Sequence, residues 1–139
     1  MTTAIRQQID KLVEGIRAKD LEALRRIYAA DVVSFDVEPP LQHVGVDAKL
    51  KNWARAFTLF AEVSYEVRDL AVTAGEDLAF GHCFGRLSGT LGDGTAASGM
   101  WVRATFCFRR FGDDWLIVHD QASVPFDIGT GRGVVDLEP

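Results

Sequence analysis

The residues able to do chemistry are densest in two stretches, WVRATFCFRRF from Trp101 and WLIVHDQASVPF from Trp115. If both are strands, alternation places His119, Gln121 and Ser123 on one face with Trp115 and Ile117, and Asp120 on the other with Leu116, Val118 and Ala122. In the same way Trp101, Arg103, Thr105 and Cys107 share a face. Should the two faces be neighbours, an arginine, a threonine, a histidine, a glutamine and a serine converge among apolar walls. A polar group buried there without a partner costs about 1–3 kcal/mol, so such a cluster must satisfy itself or take a ligand. Arg103 makes the strictest demand, because a guanidinium cannot shed its charge and needs an anion, from the protein or from a substrate. His119 is the group on its face that can take up and release a proton.

Asp36 is the second candidate for proton transfer. It follows the β-branched and aromatic run DVVSF, where a carboxylate can project into the mouth of a pocket and act as a base. Beside Pro39-Pro40 it can equally be a turn residue. Trp53, Phe57, His82 and Trp101 can line a pocket, or serve as ordinary core residues. His43, in the segment LQHVG, is expected to be exposed. Two readings stay open: a ligand site built from these groups, or an internally paired cluster in which Arg103 binds Asp36 or Asp120.

The elements that must position them follow from periodicity. Ile5, Ile9, Leu12, Val13 and Ile16 recur at helical spacing, and DLEALRRIYAAD gives a second short helix capped by Asp20. DVVSFDVEPP reads as a short strand that ends at the prolines. Leu50, Trp53, Ala54 and Phe57 share one face of a third helix over 47–60. Four long strands follow, joined by short Gly and Asp turns of the antiparallel kind, with Gly81, Gly85, Gly89 and Gly99 marking bulges or curvature. Three helices before a run of long strands predict an α+β fold, with the N-terminal helices packed on a strongly curved antiparallel sheet that forms a cone. The open end of a cone is a natural pocket.

The 139 residues fit one domain, expected over 1–128, with a flexible C-terminal tail over 129–139. A formal charge of −5 without clustered Lys and Arg disfavours nucleic acid as a partner. Cys83 and Cys107 have no CxxC spacing and read as buried thiols, so no metal site is expected. No apolar run approaches a membrane span and MTTAIRQQID lacks signal-peptide character, so a soluble cytoplasmic protein is expected.

YAADVVSFD, the HVG loop with the helix that carries Trp53, and RATFCFRRFGDDWLIVHDQASVPF together resemble the nuclear transport factor 2-like superfamily over nearly the whole chain, in its SnoaL-like and ketosteroid-isomerase-like branch. The resemblance implies a cone-shaped cystatin-like roll, a pocket for a small hydrophobic or amphipathic molecule, no cofactor, and a homodimer formed through the sheet. A similar strand pair occurs in the association domain of calcium/calmodulin-dependent kinase II, an assembly module. Alignment places Asp36 at the position of the isomerase base. The isomerase oxyanion hole uses a tyrosine and a protonated aspartic acid, and Leu12 and Cys107 stand at those two positions. Steroid isomerisation is therefore not implied. Gln121 replaces the second histidine of the family's H-x-H pair, which removes a paired-histidine metal site. The expected function is small-molecule binding. As an enzyme it would be a cofactor-independent isomerase, lyase or hydratase, with Asp36 or His119 moving the proton, Arg103 holding an anionic group, and Trp53, Phe57, His82, Trp101, Thr105 and Gln121 shaping the pocket. The alternative is a noncatalytic binding or dimerisation module.

Overall fold

The computed structural model describes residues 2–139. Helix α1 (Thr2–Arg17) buries Ile5, Ile9, Leu12 and Ile16, the stripe its spacing predicts. Asp20 caps the single turn of α2 (Leu21–Arg25) by accepting from the Ala23 amide at 3.0 Å. Strand β1 (Tyr28–Phe35) and the two-residue β2 (His43–Val44) lead into α3 (Val46–Leu59). Gly45 precedes α3 with φ of 90°, a conformation costly for any other residue type. Strands β3 (Phe60–Ala74), β4 (Leu78–Leu91), β5 (Ala96–Ala97), β6 (Trp101–Phe111) and β7 (Asp114–Ser123) then run in sequence. The sheet order is β2-β1-β7-β6-β4-β3, with β5 on β4. The α+β cone with helices on one face is as the sequence predicts. No helix among the described residues is long and apolar enough to cross a membrane.

Two departures decide where the chemistry lies. The first is that β1 pairs with β7 in parallel, within a sheet whose other pairings are antiparallel. That pairing sets Ser34 opposite Asp120, residues 86 apart in sequence. The second is a β-bulge in β7: Cys107 pairs with His119 and Phe108 with Ile117, so Val118 is an extra residue without an opposite number. Alternation therefore resets within the strand. Trp115 and Ile117 point into the core, and so do Asp120 and Ala122, whereas His119, Gln121 and Ser123 lie on the outer face.

The core fills the space between the helices and the inner sheet face, where Phe106, Phe108 and Ile117 meet Ile5, Ile9, Leu12 and Ile16. Cys83 is buried in this core, and burial pushes its thiol up to about 11; Cys107 is half-buried on the outer face. Gly85 sits beneath the Tyr65 ring, and a Cβ placed there would lie 1.9 Å from the phenol oxygen. In and before the C-terminal segment, β8 (Phe126–Asp127) pairs with β9 (Arg132–Gly133), and the Val134 amide donates to the Pro125 carbonyl at 2.7 Å. A turn around Gly131, whose φ is 72°, closes this hairpin.

The close seating of Tyr65 on Gly85 predicts that Gly85→Ala destabilises the fold by about 1–3 kcal/mol, the range for overpacking a filled site. Urea unfolding of the variant beside the parent chain measures this, and a change below about 0.5 kcal/mol would show that Tyr65 moves aside freely.

Candidate functional site

A cavity of about 410 Å³ opens between α1, α3 and the inner face of the sheet. Its walls are apolar, built from Leu12 and Ile16 of α1, Phe60, Leu87, Val102 and Phe106. At one end Tyr28, Asp36, Lys49, Asn52, Trp53 and Asp120 supply the polar groups, and Glu38, Arg55 and Tyr65 are also in the lining.

Lys49 organises the polar end. It is only 4% exposed, and it projects from the buried side of α3, where the sequence pattern predicts an apolar residue. Its Nζ donates to Ser34 Oγ at 2.9 Å and to Asp36 Oδ1 at 2.9 Å, and lies 3.5 Å from Asp120 Oδ2. Ser34 Oγ in turn donates to Asp120 Oδ1. Asp36 Oδ2 accepts from Asn52 Nδ2 at 2.7 Å, with His43 Nε2 3.4 Å away. Burial opposes the charge on Lys49, but Asp120 and Asp36 outweigh it and hold the ammonium above the ordinary lysine range. A lysine kept protonated is no amine nucleophile, which argues against Schiff-base chemistry at this site.

Tyr28 stands beside this cluster. Trp53 Nε1 donates to its hydroxyl oxygen at 3.2 Å, and the phenol's own proton has no acceptor among the described residues. Burial pushes Tyr28 well above the usual tyrosine range, partly opposed by Lys49, and burial does the same to Tyr65 on the cavity wall. Both phenols therefore stay protonated as hydrogen-bond donors. Carboxylates and a phenol thus lie at one end of a cavity with apolar walls.

Of the residues predicted from sequence, Asp36, Trp53 and Gln121 line the cavity. Phe57 is buried in the core and stacks on Trp53 with ring centroids 5.7 Å apart. Arg103, Thr105 and His119 do share a face, with Arg103 opposite Ser123 and Thr105 opposite Gln121, but it is the outer face. The expectation of an inward cluster is corrected on that point. Arg103 is exposed and donates to Ser123 Oγ at 3.2 Å, so it holds no anion in the cavity and pairs with neither Asp36 nor Asp120. Gln121 touches the cavity lining, while its amide donates to Thr105 Oγ1 at 3.0 Å. His119 Nδ1 lies 2.6 Å from the Val33 carbonyl oxygen and its ring meets the edge of Phe35, outside the cavity. His82 is exposed on the outer face, opposite Thr105. Trp101 is also outward, covered by the guanidinium groups of Arg68 at 4.5 Å and Arg86 at 4.9 Å. His43, expected to be exposed, is buried beside Asp36 because β2 pairs it with Ser34.

Lys49, Asp120, Ser34 and Tyr28 were not singled out from sequence as site residues. One signal was available: a lysine at the start of the apolar stripe of a helix needs a buried counter-ion.

The fold and site have recognisable relatives. The SnoaL-like domain matches residues 5–127, and the chain belongs to that family. A crystal structure of an NTF2-like protein of unknown function from Pseudomonas putida KT2440 is 32% identical, covers 99% of this chain and 95% of its own, and superposes with a TM-score of 0.87. A proposed dehydratase of the NTF2-like family from Streptomyces avermitilis is 19% identical over 88% of this chain and 94% of its own, with a TM-score of 0.76. A structure from Xanthomonas campestris, described as a proposed calcium/calmodulin-dependent protein kinase II association domain, is 15% identical over 89% of this chain and 87% of its own, with a TM-score of 0.77. Among curated proteins none matches.

Removing the cation from a buried cluster leaves its carboxylates facing each other without compensation. Lys49→Met is therefore expected to cost about 3–5 kcal/mol of folding stability at neutral pH, measured by denaturant unfolding. A loss below about 1 kcal/mol would mean that the carboxylates do not depend on Lys49.

Proposed function

We propose that the cone binds a small, largely apolar molecule with an oxygen-bearing head group and moves a proton on it. The observation that carries this reading is the convergence of Asp36, Asp120, Lys49 and the Tyr28 hydroxyl at one end of an otherwise apolar cavity. The ligand's carbonyl oxygen would accept from Tyr28, and one of the two carboxylates would take the proton from the adjacent carbon. Lys49 holds both carboxylates and offsets one of their two charges, and the reaction class this suits is an isomerisation, a dehydration or a hydration. Membership in the SnoaL-like family supports the general class, ligand binding with isomerase-type chemistry, because the proton-moving groups lie where the fold makes its pocket. In the same reading a second copy would pack on the outer sheet face, where Phe35 and Phe80 are 43% and 47% exposed.

One observation favours a second, noncatalytic reading: Lys49 and Asp36 are already paired within the protein, as a structural cluster beneath a binding chamber would be. Deuterium exchange at the carbon beside the carbonyl of apolar ketones that bind, followed by NMR, separates the two. The catalytic reading expects exchange faster than in buffer, with a fall of about 10²–10⁴-fold in Asp36→Asn or Asp120→Asn, whichever removes the base. Binding without faster exchange would establish the noncatalytic reading.

A further inference from the structure

A buried lysine at the end of an apolar pocket invites an acid as ligand, yet its surroundings argue the reverse. Two carboxylates and one ammonium meet there, which leaves one net negative charge. Lys49 already donates to Ser34 and Asp36, and its ammonium lies 3.5 Å from Asp120. An entering carboxylate would have to displace one of these partners and strand a buried charge, while being repelled by both aspartates in surroundings that screen poorly. The donors left for a ligand at this end are uncharged: Tyr28, whose proton is unpaired among the described residues, Tyr65 on the wall, and the second amide N–H of Asn52. A phenol donates well to an uncharged carbonyl or hydroxyl oxygen, but it supplies no positive charge to offset an anion.

We infer that the inner end of the cavity selects against anions: it takes an uncharged molecule oxygen-first and rejects the carboxylate of the same skeleton. This rests on the reading of the cone as a binding chamber. The other cation in the lining is Arg55, which is exposed and donates to Asn52 Oδ1 at 2.9 Å. An acid could be held there with its apolar body directed inward, so the decisive comparison removes that route.

The test is calorimetric titration of Arg55→Gln with acetylnaphthalene and with naphthoate at neutral pH. The ketone is expected to bind at least roughly tenfold more tightly than the acid. Adding Asp120→Asn, which takes the formal charge of the cluster to zero, should raise naphthoate affinity and narrow the gap. Naphthoate binding as tightly as the ketone in Arg55→Gln would overturn the charge rule and leave the chamber standing. If neither probe binds, or if Ala56→Trp on the cavity wall leaves ketone binding unchanged, the chamber itself is refuted and the charge rule with it.

Discussion

The structure of the site depends on one buried ammonium. Lys49 donates to Asp36 and Ser34, with Asp120 3.5 Å away, inside a protein whose remaining core is almost wholly apolar. Neither carboxylate has a second lysine or arginine within ion-pair distance among the described residues, and the His43 ring nitrogen lies 3.4 Å from Asp36. Charges held this deep are tolerated only when each has its partner, so the positions of β1, α3 and β7 are tied to one another through this single side chain. Tyr28 and Trp53 extend the arrangement toward the cavity through their mutual hydrogen bond.

Topology makes that meeting possible. Ser34 and Asp36 come from the end of the first strand, Lys49 from the third helix, and Asp120 from the last long strand. The parallel pairing of β1 with β7 brings the outer two together, and α3 then lays Lys49 over them. The bulge at Val118 completes the arrangement by turning Asp120 inward. Without it, strict alternation would have sent Asp120 outward and His119 into the cavity.

The architecture was legible because it is written in local periodicity: apolar stripes at helical spacing, long alternating strands, and Gly and Asp turns between them. Asp36 and Trp53 were legible because they sit at the ends or on the faces of such elements. The rest of the site was not, for two physical reasons. A bulge inserts one residue without altering the composition of the strand, so the face of every later residue in β7 was read reversed, and Arg103 and its neighbours with it. Lys49, Ser34 and Asp120 find each other across pairings distant in sequence, one of them parallel, and local pattern carries no record of these. The resemblance added the family but not its chemistry, since the tyrosines that line the cavity come from β1 and β3 and not from α1, where Leu12 stands.

A carboxylate pair bridged by a fixed ammonium, with a protonated phenol alongside, gives the chamber both its polar end and its negative charge. The most direct measurement of that arrangement is the NMR signal of the Lys49 ammonium protons in the unliganded protein at neutral pH, assigned by its loss in Lys49→Arg. A resonance in slow exchange with water, displaced when Asp120 is changed to Asn, is the predicted result. An ammonium that exchanges as fast as those of surface lysines would contradict the account.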